Sequence, residues 1–215
     1  MMKKNRLSNA VAVGLFAMGL ATSANATQAG DIIVRAGVAV VAPNSSSQDV
    51  AGLGEFDVSS DTQLGLNFAY LFTDNIGIEL LAASPFSHNI SLPTLGNIAK
   101  TKELPPTLVV QYHFGDAASK FRPYIGIGIN YTNFYDTKFT NDLDGALTDI
   151  SLSNSWGLAG QVGLDYQLTD KWLLNGSIWY ADIDTDASFK LAGESVTIDT
   201  NIDPWVYMVS AGYVF

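Results

Sequence analysis

Few residues of this chain could carry out chemistry, and they do not assemble into a recognised catalytic pattern. The sequence contains two histidines, His88 and His113, and no cysteine. A zinc centre needs several ligands that converge, so two distant histidines predict no zinc site. Ser84 and Ser87 lie near His88, but no convincing carboxylate accompanies them to orient the imidazole for acyl transfer. We therefore predict no catalytic residue, no metal, no cofactor and no enzymatic activity.

Three aspartates alternate in the run Asp182-x-Asp184-x-Asp186, as they do at the start of a calcium-binding loop. Such a loop also requires Gly at its sixth position and Glu at its twelfth. Those positions hold Ala187 and Gly193 in this sequence. The run is therefore interpreted as a solvated extension of a strand, and a loosely bound divalent ion is the alternative.

The first segment, 1–26, has the order of a secretory signal peptide. Lys3, Lys4 and Arg6 precede an apolar run that ends at Ala21, and a small-residue cleavage motif ends at Ala26. The apolar run is shorter than the roughly 20 residues that a membrane-spanning helix needs. We expect cleavage after Ala26, which leaves 27–215 as a single mature domain.

Charge and composition exclude several classes of protein. All 21 acidic residues lie after the expected cleavage site, whereas some of the 11 basic residues are removed with the leader. The mature chain is thus strongly acidic, which argues against binding to nucleic acid. Hydrophobic residues make up 47% of the chain and charged residues 15%. That balance suits strands with one face in lipid.

Eight segments alternate apolar and polar residues with a period of two, which is typical of β-strands. They cover 31–42, 62–72, 76–84, 107–114, 122–135, 153–168, 172–182 and 202–215. In the last segment Trp205, Tyr207, Val209, Tyr213 and Phe215 share one face, with aromatic rings at both ends. A strand that faces lipid needs this order, because aromatic rings prefer the two interfaces.

The connections between these segments alternate in length, with long polar ones at 43–61, 85–106, 136–152 and 183–201. Short periplasmic turns and long extracellular loops are typical of bacterial outer-membrane barrels. A soluble lipocalin-type barrel is the rival interpretation, but it would need a polar outer face. We predict an all-β fold, an eight-stranded antiparallel transmembrane β-barrel in the outer membrane of a Gram-negative cell.

Charged residues of the inward face fall near the periplasmic ends of the strands: Arg35, Glu79, Arg122 and Asp165. Unpaired buried charges are costly, so the two arginines are expected to pair with the two carboxylates and to form a polar plug. One interpretation is that these ion pairs only hold the barrel together. The alternative is a role in gating.

Inward positions in the outer half of the lumen are mostly apolar. They are Val41, Val109, Phe134, Trp179, Val206 and Met208. An apolar lining with few polar groups predicts a pocket for a small hydrophobic molecule, and ordinary packing is the alternative. Trp179 is the candidate for a constriction, because it is a large ring in a narrow barrel.

Six of the seven prolines lie in or beside the long connections. They are Pro43, Pro85, Pro93, Pro105, Pro106 and Pro204. Proline cannot donate to a strand ladder. These residues therefore either punctuate the loops or weaken pairing near the outer rim, so that an apolar solute can leave sideways into lipid.

Several segments resemble the OmpW family over essentially the whole mature chain. They are Leu104-Pro-Pro-Thr-Leu108, Phe121-Arg-Pro-Tyr-Ile-Gly-Ile-Gly-Ile-Asn-Tyr-Thr-Asn-Phe134, Ser155-Trp-Gly-Leu-Ala-Gly-Gln-Val-Gly-Leu-Asp165, Trp179-Tyr-Ala-Asp-Ile-Asp-Thr185 and Asp203-Pro-Trp-Val-Tyr207. The resemblance implies a narrow, hydrophobic channel linked to uptake of small hydrophobic molecules, with Trp179 as its inward tryptophan. It also implies recognition by the barrel-assembly machinery through Tyr213 and Phe215, although Ser210 replaces the usual glycine of that signal.

The sequence thus leads to two functions of different classes. The first is a passive channel for small hydrophobic solutes. The second is a structural or receptor protein with a closed lumen, whose outer loops do the binding. The resemblance implies a bacteriocin or a phage as the ligand of such loops. Outer-membrane lipid and lipopolysaccharide are the expected surroundings in either case. An open apolar lumen would favour the first function, and continuous side-chain packing would favour the second.

Overall fold

A computed structural model describes residues 27–215. The expected signal peptide, 1–26, lies outside the described residues. Fifteen strands follow one another along the chain: β1 (Ile32–Ala42), β2 (Ser46–Ser47), β3 (Asp57–Val58), β4 (Asp61–Leu71), β5 (Ile76–Ala83), β6 (Phe86–Leu92), β7 (Gly96–Leu104), β8 (Thr107–His113), β9 (Phe121–Phe139), β10 (Leu147–Leu152), β11 (Ser155–Gln167), β12 (Trp172–Ala181), β13 (Asp184–Leu191), β14 (Glu194–Asn201) and β15 (Trp205–Val214). Across 27–215, no helix has the length and apolar character that crossing a membrane requires.

Eight of these strands form a closed antiparallel barrel, which confirms the predicted fold class. Their order around the wall is β11, β12, β15, β1, β4, β5, β8 and β9, and pairing of β9 with β11 closes the circle. The first and last barrel strands lie side by side, with Ile33 opposite Val214 and Ala42 opposite Trp205. Closure leaves no unpaired strand edge in the hydrocarbon layer, where no water is present to bond it.

The period-two pattern separates the two faces of the wall. Ile127, Leu158 and Val209 on the outer face are 69%, 65% and 72% exposed, whereas Val109 and Met208 on the inner face are each 1% exposed. Rings pair near both ends of the outer face. Tyr131 and Trp156 lie 4.6 Å apart at the extracellular end, and Trp172 and Tyr213 lie 5.1 Å apart at the periplasmic end. The outer face therefore matches a lipid layer with two aromatic bands.

The structure differs from the sequence-based expectation in the long connections, which are not irregular loops. Strands β6 and β7 form a hairpin on the outer part of β9, and β3 adds to β6. Strands β10, β13, β14 and β2 form a separate four-stranded sheet. We call these elements, together with 132–139 of β9, the extension. It continues the wall beyond the extracellular rim.

The extension has a hydrophobic core of its own, which explains why it is ordered. The buried members of this core are Val50, Phe56, Ile90, Leu92, Ile98, Ala99, Leu147, Ala187, Phe189 and Ile198. Apolar residues alternate with polar ones in these segments, so their average composition is polar although one face is apolar. Their hydrophobic faces meet and bury each other, as strands without lipid contact must.

Replacing Phe189 with Ala is expected to loosen the extension but not the barrel. Phe189 is buried and packs edge-to-face against Phe139 at a centroid distance of 6.1 Å. Loss of such a ring typically costs about 3–5 kcal/mol. Amide hydrogen exchange should therefore rise in β10, β13 and β14 and stay unchanged in β1 and β15. Replacement of the half-exposed neighbour Lys190 with Ala is the control, and equal protection in both variants would contradict the prediction.

Candidate functional site

A buried ion-pair group crosses the lumen near its periplasmic end. The Arg35 guanidinium donates to the Glu79 carboxylate through Nη1 and to Asp165 through Nη2 at 2.6 Å and Nε at 3.2 Å. Arg35 and Glu79 are fully buried and Asp165 is 3% exposed. The three residues lie on β1, β5 and β11, which are not neighbours in the wall. The contact therefore spans the interior instead of joining adjacent strands.

Amide side chains complete the hydrogen bonding of both carboxylates. Asn67 and Gln161 donate to Oε1 of Glu79 at 3.0 and 2.8 Å. Asn175 donates to Oδ1 of Asp165 at 2.7 Å and to the Tyr124 hydroxyl at 2.8 Å. Buried ion pairs are tolerated when such bonds complete their shells. Together these side chains form a continuous polar layer, which we call the plug layer.

A glycine makes room for this layer. Tyr124 belongs to β9, and its ring packs over Gly163 of the neighbouring strand β11. A Cβ atom built at Gly163 would lie 2.3 Å from Tyr124 Cζ. The Arg35 guanidinium carbon lies 5.8 Å from the centre of the same ring. Any larger residue at 163 would displace Tyr124, because a rigid ring cannot yield as a flexible side chain can.

Arg122 does not join the plug layer in the manner expected. Its Nη1 donates to the carbonyl oxygen of Thr27 at 2.5 Å and to Thr27 Oγ1 at 2.6 Å, and its Nη2 donates to the Asp74 carbonyl oxygen. It forms no ion pair within 4.0 Å in the described part of the chain, although Asp165 is its partner in the strand register. The structure thus brings Arg35, Glu79 and Asp165 together and places Arg122 against the chain start and a periplasmic turn.

An apolar cluster lies directly above the plug layer. Five of the six predicted lumen residues belong to it: Val41, Val109, Trp179, Val206 and Met208. The other buried members are Ala39, Leu81, Phe86 and Ala159. The Trp179 ring is 2% exposed, and its Nε1 donates to Ser177 Oγ at 3.2 Å. Phe134, the sixth, packs farther out with Ala181, Ile183 and Ile202.

Three small cavities follow one another from this cluster into the extension. The lumenal cavity is lined by Trp179, Val41 and Val206 and is bounded by Pro105 and Glu103. About 490 Å³ between its lining atoms is unfilled, but only about 20 Å³ is open to the centre of a water molecule. The enclosed part of the cavity is therefore about large enough for a single water molecule.

Two further cavities lie beyond the lumenal cavity. The middle cavity is lined by Phe134, Ile202 and His88 and shares Glu103 with the lumenal one. The outer cavity lies in the core of the extension and shares Phe56 and Ile150 with the middle one. All three have predominantly apolar linings, and shared residues connect each to the next.

His88 and Glu103 are buried where the lumenal and middle cavities meet. His88 Nδ1 lies 2.5 Å from the Ser59 carbonyl oxygen, and Nε2 lies 3.4 Å from Glu103 Oε1. Burial by itself would lower the pKa of His88, but the nearby carboxylate of Glu103, together with the Ser59 carbonyl oxygen, raises it above its ordinary value. The sequence analysis considered His88 beside serines and together with His113, and it missed Glu103, whose inward position in β7 was the available signal.

The aspartate run forms part of an acidic cluster at the base of the extension. Asp182, Asp184 and Asp203 place carboxylate oxygens within 4.8 Å of one another. Burial, followed by the charges of Asp182 and Asp203, raises the pKa of Asp184. Asp186 belongs to β13 and is exposed. The run therefore lies largely on a strand, as the sequence pattern indicated.

The comparisons with known proteins agree with this architecture. Residues 28–215 match the model of the OmpW family. Outer membrane protein W of Vibrio cholerae is 52% identical over 197 residues, which cover 88% of this chain and 91% of that protein. Outer membrane protein W of Escherichia coli is 52% identical over 198 residues, which cover 91% and 93%.

A solved structure supports the same assignment. The crystal structure of OprG from Pseudomonas aeruginosa superimposes with a TM-score of 0.83 at 42% identity, covering 89% of this chain and 98% of that one. These relatives are outer-membrane proteins, which places this chain in the outer membrane of a Gram-negative cell. The chain belongs to the OmpW family.

Proposed function

We propose that the protein is a passive channel through which small hydrophobic molecules enter from outside the cell. The observation that carries this proposal is the series of three apolar cavities that leads from the extension to Trp179. Apolar molecules cross a lipopolysaccharide leaflet poorly. A dry route through that leaflet avoids its charged groups and needs no chemical step.

The plug layer supports a route that does not continue to the periplasm. Arg35, Glu79 and Asp165 fill the lumen with satisfied charges, and an apolar solute that passed between them would break those bonds without replacing them. We assign Arg35, Glu79 and Asp165 to a periplasmic-side plug on this basis. Arg122 holds the chain start and a periplasmic turn beside it. The solute path consists of Trp179, Met208, Val206, Val109, Phe134 and Val41.

A solute that reaches the lumenal cavity and cannot pass the plug layer must leave sideways into lipid. The wall has a weak point beside that cavity. Pairing of β5 with β8 ends at Leu81 and Thr107, although β5 continues to Ala83. Pro105 and Pro106 face this unpaired end of β5 and have no N–H to donate. Ala83 and Pro105 both line the lumenal cavity. The gap at 82–85 and 104–106 is therefore the exit in this proposal.

A structural or receptor role remains the second candidate, and one observation favours it. The cavities are narrow, with about 20 Å³ open to water centres in each of the inner two. A solute can enter only if side chains such as the flexible Met208 move aside. The folded extension would also present a defined surface to a partner. Lipopolysaccharide and the assembly machinery, the latter through Tyr213 and Phe215, are proposed partners under either function.

Replacing Trp179 with Ala is expected to increase the rate of hydrophobic uptake, because it removes the largest ring that lines the lumenal cavity. Uptake of a panel of hydrophobic compounds would be measured in proteoliposomes whose outer leaflet contains lipopolysaccharide. Trp156→Ala, which changes a ring that is 70% exposed on the lipid face, is the control. If wild type and both variants take up no more than empty liposomes, the channel is excluded in favour of the receptor role.

Replacing Arg35 with Ala is expected to open the plug layer to ions, because Glu79 and Asp165 would lose their shared cation and water would enter the space that the guanidinium leaves. Removal of one partner from a buried ion pair typically costs about 3–5 kcal/mol of stability. Planar-bilayer conductance and barrel melting report the two effects. Arg122→Ala should change both less, since its guanidinium bonds to uncharged oxygens. Unchanged conductance and melting in both variants would exclude the plug.

Closing the gap between β5 and β8 is expected to abolish uptake. The double variant Ala83→Cys with Pro105→Cys would form a disulfide across the gap, and a reductant should restore uptake. Leu80→Cys with Leu108→Cys, at a pair already joined in the ladder, is the control. Continued uptake by the oxidised Ala83–Pro105 variant would show that solutes leave by another way.

A further inference from the structure

Two ionisable side chains lie in the otherwise uncharged and mostly apolar path, and the channel function does not require them. Glu103 on β7 and His88 on β6 are each 2% exposed. Glu103 lines both the lumenal and the middle cavity, and His88 lines the middle cavity. The pair therefore stands beside any molecule that moves from one cavity to the other.

The hydrogen positions of His88 follow from its neighbours. The Ser59 carbonyl oxygen can only accept, so Nδ1 carries a hydrogen and donates to it at 2.5 Å. If the imidazole were neutral, the lone pair of Nε2 would face the carboxylate of Glu103. A protonated imidazole instead directs a second N–H at Glu103, which turns repulsion into attraction.

The two groups do not satisfy each other. Their separation of 3.4 Å exceeds the roughly 2.7–2.9 Å of a hydrogen bond between charged groups. His88 Nε2 has no hydrogen-bond partner in 27–215, and within the same residues His88 is the only polar side chain that contacts the Glu103 carboxylate. Buried polar groups left without full bonds are costly and rare in folded proteins. The site therefore has unused capacity for one donor and one acceptor.

A hydroxyl group has the matching chemistry. Its hydrogen can be donated to the Glu103 carboxylate, and its oxygen can accept from Nε2–H of His88. A carboxylate ligand would be repelled by Glu103, and a hydrocarbon could bond to neither group. The flanking cavities are apolar, so the rest of the ligand must be apolar as well.

We propose that His88 and Glu103 bind the hydroxyl group of a small amphiphilic solute whose apolar body occupies the lumenal and middle cavities. The inference rests on the proposed function, because it assigns a solute class to the same path. A few polar groups in an apolar pocket fix the orientation of a ligand and provide its specificity. The site selects alcohols and phenols over hydrocarbons and fatty acids of equal length.

The test compares three probes of equal chain length on the full mature protein in lipid nanodiscs. 1-Octanol, n-octane and octanoate are titrated while NMR follows the methyl groups of Val41 and Val206, which line the lumenal cavity. Each probe is compared between wild type and variant in the same lipid, so that partition into the bilayer cancels.

In the Glu103→Gln variant, which keeps the size of the side chain, 1-octanol binding is expected to weaken about tenfold while n-octane binding stays unchanged. His88→Asn should have the same selective effect and serves if the first variant does not fold. Glu194→Gln, the same change at the exposed start of β14, should leave both probes unaffected.

The outcomes separate this inference from the channel itself. If n-octane shifts the methyl signals and Glu103→Gln leaves 1-octanol binding unchanged, the hydroxyl site is wrong and the channel stands. Equal weakening of both probes would mean that the substitution only alters cavity shape, which also overturns the site. If neither 1-octanol nor n-octane shifts the methyl signals of the wild type, both the hydroxyl site and the channel are excluded.

Discussion

Closure of the strand ladder in a medium without water determines most of this structure. Every backbone N–H and C=O of the wall must bond to a neighbouring strand, because lipid offers no partner. Pairing of β9 with β11 completes that requirement. Once the ring is closed, successive residues alternate between lipid and lumen. The exposed Ile127 and the buried Val109 are direct consequences of one backbone constraint.

A ring of eight strands leaves an interior only wide enough for side chains, so each level of the lumen is defined by what fills it. At the periplasmic level Arg35 joins strands on different sides of the barrel, and amides complete the shells of its partners. Above it, Trp179 and Met208 exclude polar groups. Under the proposed function, the boundary between the two levels marks where the path of an apolar solute ends, because going farther would break the polar bonds of the plug layer.

The sequence predicted the wall well because each barrel strand has lipid on one face and the lumen on the other. This produces a regular alternation of residue types along the strand. Each of the eight predicted segments corresponds to a barrel strand, and closure into an antiparallel barrel is confirmed. The extension was missed for a physical reason. Its strands meet water on one face, so a segment such as 184–191 has the polar composition of a loop, and only its alternation identifies it as a strand.

Within the lumen, alternation identified which side chains point inward but not which of them touch. Arg122 lies opposite Asp165 in the register, yet its guanidinium reaches Thr27, because three-dimensional direction is not encoded in spacing. The same limit hid the pair of His88 and Glu103. They lie on neighbouring strands of a hairpin that composition alone did not reveal.

The extension gives the apolar path a length that the barrel alone could not provide. Barrel strands end near the aromatic band at Tyr131 and Trp156, which marks the level of the polar headgroups. Sugars and phosphates of lipopolysaccharide lie beyond that level, where an apolar solute is poorly solvated. Beyond the headgroups, strands without lipid contact can enclose an apolar interior only by packing their apolar faces together. Phe56 and Phe189 belong to such an interior, the core of the extension. Such an interior tolerates a buried carboxylate only if a partner or a ligand completes its bonds. Glu103 lies at the junction between extension and barrel. Under our proposal, a passing solute supplies the hydrogen bond that the protein itself does not provide to this carboxylate.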